Sequence, residues 1–145
     1  MKFSVSKGMV LRVLVCVWLC IVSFTVYSND VDCDNPVTTI DINVCEGRKA
    51  EKAEQVLEKY FLTALETIKD QKSAYSSLEK SQVTWKNYKE DYCAAIYENW
   101  IEGTIRGYMQ ITCVLKLTKQ RTHNIWGDYL TYMDSTPPRL PEPEE

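Results

Sequence analysis

The stretch that decides the fold is TIDINVCEGRKAEKAEQVLEKYFLTALETIK, residues 39–69. Its apolar residues recur mostly three or four positions apart, and lysine, glutamate and glutamine fill the positions between them. This spacing predicts an amphipathic helix with one buried stripe, because a helix turns once in about 3.6 residues. Asp41 stands near its start, where a carboxylate suits the helix dipole. The predicted stripe comprises Ile42, Cys45, Ala53, Leu57, Tyr60, Ala64 and Ile68.

Two further helices follow with the same periodicity. One is expected to begin near Ser76 or Ser77, either of which can cap it, and to end near residue 100. The turn after it lies in a glycine-containing segment, and the third helix is expected over residues 108–132. No segment shows the sustained alternation of a strand. We therefore predict an all-α fold, a small antiparallel three-helix bundle, because short connections place successive helices side by side.

Residues 1–28 have the pattern of a signal peptide. Lys2, Lys7 and Arg12 supply a positive start, and a largely apolar run follows over residues 13–26. This run is shorter than the roughly 20 residues that a membrane-spanning helix needs, which favours cleavage over a transmembrane anchor. We expect a periplasmic or secreted protein with no stable membrane anchor after the signal is removed.

The net charge of residues 29–145 favours some classes of binding partner over others. Residues 1–28 contain three basic and no acidic residues, so 14 basic and 20 acidic residues remain, a formal net charge of −6. Such a surface argues against nucleic acid, whose phosphates need the opposite sign. It would steer a cationic partner toward the protein. The alternative is that the charge only aids solubility.

Four cysteines remain after residues 1–28: Cys33, Cys45, Cys93 and Cys113. An even number of cysteines in a short exported chain predicts a disulfide framework, because oxidation persists outside the cytoplasm and small domains need covalent help. Four cysteines allow three pairings. We favour Cys33–Cys93 and Cys45–Cys113, because these long-range pairs would join helices to one another.

The sequence gives no support for catalysis. His123 is the only histidine, and at ten positions from Cys113 on one helix it does not share a face with that thiol. The cysteine spacings do not suit zinc, and no phosphate-binding loop, nucleophile elbow or HExxH motif occurs. We therefore predict no catalytic residues, no metal, no cofactor and no enzyme activity.

Aromatic residues are concentrated in one segment: Trp85, Tyr88, Tyr92, Tyr97 and Trp100. Helical spacing places most of them in the core. Trp100 differs, because it lies between Glu98 and Glu102 where the second helix should end. An exposed aromatic residue flanked by acids makes a good interface anchor. Glu98, Trp100 and Glu102 are therefore the predicted partner-binding residues.

Residues 134–145 hold four of the five prolines and three glutamates. This composition predicts a disordered acidic tail. The predicted organisation is therefore a signal peptide over residues 1–28, a helical domain over residues 29–133 and the tail over residues 134–145.

Three segments carry distinctive residue combinations: TxDINxC at 39–45, QxxWxxYK at 82–89 and CxxxLTxxRT at 113–122. Together with the four cysteines they resemble the motifs of the lysozyme inhibitor LprI-like family of small bacterial envelope proteins. The resemblance spans about residues 33–132 and implies an all-helical, disulfide-bonded domain that inhibits lysozyme. The sequence departs from the family pattern at Asp41, Ile42, Lys89 and Glu90. Lys89 replaces an arginine, whose planar two-point contact an ammonium group cannot make.

We therefore expect an inhibitor that binds and blocks a peptidoglycan-degrading enzyme, a cationic lysozyme or muramidase. Its target would be a host enzyme or the toxin of a competing bacterium, and in the second case it would be an immunity protein. The segment from Glu98 to Gly107 is the expected plug for the enzyme's cleft. The alternatives are a non-enzymatic structural or assembly module of the cell envelope, or a hydrolase whose carboxylates the sequence does not locate.

Overall fold

The computed structural model describes residues 31–144, and the predicted signal peptide lies outside the described residues. This part of the chain forms three helices: α1 (Thr39–Thr67), α2 (Lys72–Asn99) and α3 (Arg106–Ile125). A π-helical turn, Trp126–Leu130, continues α3 directly. Residues 31–144 contain no strand, which confirms the predicted all-α class. Over the same residues, no helix has the length and apolar character needed to cross a membrane.

The start of α1 is fixed by a capping box. The Asp41 backbone N–H donates to Thr38 Oγ1 at 3.1 Å, and the Thr38 N–H donates to Asp41 Oδ2 at 2.9 Å. These reciprocal bonds satisfy two backbone donors that a helix start leaves without partners. Hydrogen bonds from the Thr38 backbone and side chain lower the pKa of Asp41 below its ordinary value of 3.8.

Replacing Thr38 by alanine is expected to lower the free energy of unfolding by about 0.5–2 kcal/mol, because the helix loses a side-chain cap. Urea denaturation followed by circular dichroism measures this loss. Thr84→Ala is the matched control, since the Thr84 hydroxyl is exposed and bonds only to the Lys80 carbonyl of its own helix. Equal losses in the two variants would contradict a capping role.

The same cap predicts a dependence on acid. Because the folded-state pKa of Asp41 is lowered, its carboxylate stabilises the fold above the unfolded value near 3.8. That stabilisation is lost as the pH falls through the lower folded pKa. Urea titrations between pH 6 and about pH 2 should therefore show a smaller acid-induced loss for Asp41→Asn than for the unaltered protein.

The helices pack with α3 against both α1 and α2, whereas α1 and α2 touch only slightly. Cys93 late in α2 meets Cys113 early in α3, and Gln82 early in α2 meets Arg121 late in α3. This order of contacts is compatible with the predicted antiparallel arrangement. Of the predicted α1 stripe, all residues except Ile42 are buried. The main core cluster consists of Leu57, Tyr60, Ala64, Leu65, Ile68, Leu78, Ile125 and Leu130.

Two disulfides are present, as predicted, but the predicted pairing is wrong. The bridges are Cys33–Cys45 and Cys93–Cys113, with Cα–Cα distances of 5.5 and 5.7 Å. Cys33 pairs locally because the segment before α1 folds back on the first turns of that helix. This fold-back is also held by Arg48 Nη1, which donates to the carbonyl of Val31 at 3.2 Å. Neither Cys33–Cys93 nor Cys45–Cys113 forms.

The predicted tail, residues 134–145, is described up to residue 144. Residues 131–144 contain no helix or strand, and part of this segment packs against the helices. Leu140 packs against the core cluster, and Pro143 is buried. Composition alone predicts disorder here because the segment cannot bury itself, and its burial depends on a surface that the helices provide.

Candidate functional site

The three predicted partner-binding residues lie at the junction of α2 and α3. Glu98 is in the last turn of α2, Trp100 ends that helix, and Glu102 lies in the turn that follows. The backbone N–H of Gly103 donates to the Trp100 carbonyl at 2.9 Å, and the Ile101 N–H donates to the Glu98 carbonyl at 3.2 Å. These bonds hold the turn compactly against the end of α2.

The centre of this turn is apolar and accessible. Trp100, Ile101 and Ile105 are 39%, 51% and 41% exposed. Both glutamates beside them are also exposed. We call Glu98, Trp100, Ile101, Glu102 and Ile105 the turn surface. The sequence did not lead us to predict Ile101 and Ile105 as part of this surface. Apolar residues near a glycine, in a segment without helical period, are a signal that could have indicated them.

The electrostatic environment of the turn surface is acidic. Residues 90–105 contain four acidic and no basic residues. Arg106 is the first base after the turn, and its guanidinium carbon lies 4.7 Å from the centre of the Tyr97 ring. This position favours a cation–π contact at the base of the turn. Trp100 and Ile101 therefore lie between two exposed glutamates, and the nearest base in the chain, Arg106, follows Ile105.

Two features hold the turn surface in place. The Cys93–Cys113 bridge joins α2 and α3, the two helices that the turn connects. Gly107, at the start of α3, lies so close to α1 that a Cβ there would be 2.9 Å from Asn43 Nδ2. A covalent bridge and a close helix contact thus restrict the turn on two sides.

Polar and charged side chains from all three helices form a second group, here called the polar cluster. The Lys89 ammonium group is paired with Glu54 of α1 and lies 4.8 Å from the centre of the Trp85 ring. The Lys89 side chain is only 13% exposed. Thr118 of α3 is fully buried and donates to Glu54 Oε1 at 2.9 Å. One carboxylate therefore joins all three helices.

Arg121 extends this cluster toward the start of α2. Its Nε donates to Gln82 Oε1 at 3.0 Å, and its Nη2 donates to Ser81 Oγ at 2.8 Å. Its guanidinium carbon lies 6.0 Å from the centre of the Trp85 ring. Burial lowers the pKa of Arg121 from its usual value. These side chains bond to one another and link the helices.

A family model described as lysozyme inhibitor LprI matches residues 33–125 of the chain. The chain belongs to the lysozyme inhibitor LprI family. The match includes all four disulfide cysteines and the whole turn surface, and it ends at the last residue of α3. No curated protein and no solved structure was found to match the chain. LprI membership confirms the resemblance predicted from the three motifs.

In this LprI-family chain the three motif segments lie on three different helices. The second and third motifs supply Gln82, Trp85, Lys89, Thr118 and Arg121, all of which belong to the polar cluster. Their positions indicate that these motif residues hold the helices together. Lys89, a position where the sequence departs from the family pattern, makes one ion pair with Glu54 and one ring contact with Trp85.

The remaining sequence-predicted positions lie apart from the turn surface. Tyr88 and Tyr92, predicted to be in the core, are 52% and 47% exposed and stack on each other. His123 Nε2 lies 3.1 Å from Glu142 Oε1, and Cys113 is part of a disulfide, so they form no thiol–imidazole pair. Within residues 31–144, no group of three or more metal-ligating side chains is assembled.

Replacing Glu54 by glutamine is expected to lower the free energy of unfolding by about 1–2 kcal/mol, because a mostly buried ammonium loses its charge partner. The value allows for the partial exposure of Glu54, whose side chain is 36% accessible. Glu58→Gln is the control, since Glu58 is exposed on the same helix. Denaturant titration of both variants tests the prediction, and equal stability would contradict a structural role for the cluster.

Proposed function

We propose that this protein is a periplasmic or secreted inhibitor that blocks a cationic lysozyme or muramidase with its turn surface. The observation that carries the proposal is an exposed apolar turn with an exposed glutamate on each side of Trp100, between two helices joined by a disulfide, on a member of a lysozyme inhibitor family. Buried aromatic anchors surrounded by a polar rim are where binding energy concentrates in protein interfaces. Trp100 is the anchor in this proposal.

Charge supports the choice of a cationic target. The chain after residue 28 has a formal net charge of −6, and the turn surface has no base between its acids. Opposite net charges raise the rate of encounter, and a complementary rim fixes the orientation of docking. The protein would act by occupying the enzyme's cleft, without transforming a substrate of its own.

The disulfides support an extracytoplasmic location. Two bridges in a short chain persist in an oxidising compartment. Peptidoglycan-cleaving enzymes act in the same compartment, so inhibitor and target would meet there. Because the turn surface is restrained before binding, little conformational entropy would be lost on association.

The proposal is tested by clearing assays on peptidoglycan suspensions with the oxidised protein from residue 29 onward. The panel should contain host lysozymes, bacterial muramidase toxins and amidases. We expect stoichiometric inhibition of at least one muramidase and none of the amidases, with direct binding seen by calorimetry. Inhibition of a single bacterial toxin alone would assign an immunity role. Failure to inhibit or bind any muramidase would favour a structural module of the envelope.

Association with the inhibited enzyme should depend strongly on salt. Raising the ionic strength from about 0.01 M to about 0.15 M shortens the screening length from roughly 30 Å to roughly 8 Å. We expect the association rate constant to fall by about tenfold or more, while the dissociation rate changes little. Stopped-flow fluorescence measures both constants, and a salt-independent association rate would exclude electrostatic steering.

A further inference from the structure

Val37 and Ile40, at the start of α1, are two large apolar side chains that the fold leaves in solvent. They are 88% and 73% exposed, more than any residue of the apolar centre of the turn surface. Neither is part of the main core cluster or packs against it. Single exposed apolar residues are ordinary, whereas a contiguous group of them marks an interaction site. What matters is therefore where these two residues lie relative to the turn surface.

The start of α1 lies beside the start of α3. A Cβ on Gly107 of α3 would be 2.9 Å from Asn43 Nδ2 of α1, so the first turns of the two helices touch. Ile105 of the turn surface caps α3 two residues before this contact. Ile40 precedes Asn43 by three residues, which places it about one helical turn earlier on the same side of α1. Because Cα–Cβ bonds in a helix tilt toward its N-terminus, the Ile40 side chain leans toward the end of the molecule that carries the turn surface.

Negative charge is concentrated in the same two parts of the chain. Residues 31–47, which include the first turns of α1, contain four acids and no base, as do residues 90–105. Residues 48–89, which lie between them and form most of α1 and α2, contain nine bases and six acids. The negative charge is therefore not spread evenly along the helices, and both acidic segments carry exposed apolar residues. Such a distribution steers a cationic protein to the segments that carry these residues.

We propose that Val37 and Ile40 form a second contact of the inhibitory surface, so that the cationic muramidase is bound by the start of α1 together with the turn surface. This inference rests on the proposed function and adds residues to its binding site. A stable interface covers roughly 800 Å² of each partner, which the five residues of the turn surface are too few to supply. The capping box holds Ile40 within α1, so its contact does not depend on the Cys33–Cys45 bridge.

The first test compares Ile40→Ala with Leu62→Ala in the oxidised protein from residue 29 onward. Both substitutions shorten an exposed aliphatic side chain of α1, but Leu62, which is 54% exposed, lies near the other end of the helix. Ile40→Ala should weaken binding of the inhibited muramidase about tenfold, and Leu62→Ala by less than about twofold. Calorimetry measures both affinities, and circular dichroism verifies that both variants keep their helices. Equal affinities would overturn the inference and leave the proposed function in place.

Hydrogen exchange on the unaltered protein gives a second test that needs no substitution. The first backbone N–H groups of a helix have no intrahelical partner, so those of Thr39 and Ile40 should exchange rapidly in the free protein. Bound muramidase should slow exchange about tenfold or more in peptides that cover residues 37–42 and residues 99–105. Slowing confined to residues 99–105 would overturn the inference and support the turn surface alone. If the unaltered protein bound no muramidase, the proposed function would fall together with the inference.

Discussion

Replacing Trp100 by alanine is expected to weaken inhibition of the target muramidase by about thirtyfold or more, since an interface anchor contributes about 2 kcal/mol or more. The indole is 39% exposed and lies next to the exposed side chain of Ile101. It therefore has surface left to bury in a partner, whereas its removal leaves the main core cluster intact. Inhibition constants from clearing assays and dissociation constants from calorimetry measure the loss.

A matched control is Tyr132→Ala. Tyr132 is an aromatic residue with 46% exposure that lies after the π-helical turn, outside the family match. The Tyr132→Ala variant should inhibit the muramidase as strongly as the unaltered protein. Exchanging Glu98 and Glu102 for glutamine in the Trp100→Ala variant should further slow association by removing rim charge. Normal inhibition by this triple variant would show that the turn surface is not the binding site. That result would not exclude the proposed inhibitory function, which would then use another surface.

The helices were predictable because each carries its own periodic signal. The α1 stripe is read from one segment without knowledge of its partners, and only Ile42 of that stripe is not buried. The start of α2 was predicted at Ser76 or Ser77 but occurs at Lys72, with no side-chain cap at Gln71. A tight turn starts that helix instead, since the Gln71 N–H donates to the Ile68 carbonyl at 2.8 Å. Backbone turns of this kind leave little trace in residue type.

The pairing of cysteines was not predictable because it depends on a segment with no periodic signal. Residues 31–38 lie before α1, and their return along that helix brings Cys33 to Cys45. The contact between Tyr60 and Pro141 was not predictable for the same reason, since the two residues are 81 positions apart. Contacts between distant segments follow from tertiary packing, which one sequence alone does not specify.

The candidate site was partly predictable. An aromatic residue between two acids at a helix end indicated Trp100, and the structure places Glu98, Trp100 and Glu102 on exposed positions of one junction. The polar cluster was not foreseen, because Lys89 and Thr118 meet Glu54 across 35 and 64 residues of sequence. In the sequence, each member of the cluster is an ordinary residue of its own helix, and only the packing of the helices brings the members together.

Removing the Cys93–Cys113 bridge is expected to lower the free energy of unfolding by about 3 kcal/mol, because a cross-link of this span restricts the unfolded chain. The paired substitutions Cys93→Ala and Cys113→Ala remove it without leaving a free thiol. Alanine is preferred to serine since Cys93 is 1% exposed and a hydroxyl there would be buried without a partner. Urea denaturation of the oxidised proteins measures the loss of stability.

The second disulfide makes this a test of function as well as of stability. Cys33–Cys45 spans 12 residues against 20 for Cys93–Cys113, so its removal should cost nearly as much stability. Only Cys93–Cys113 joins the two helices that carry the turn surface. At a temperature where both variants are folded, loss of this bridge should weaken muramidase inhibition, whereas loss of Cys33–Cys45 should not. Equal weakening in the two variants would mean that the bridges act through stability alone, and that the turn needs no covalent restraint to bind.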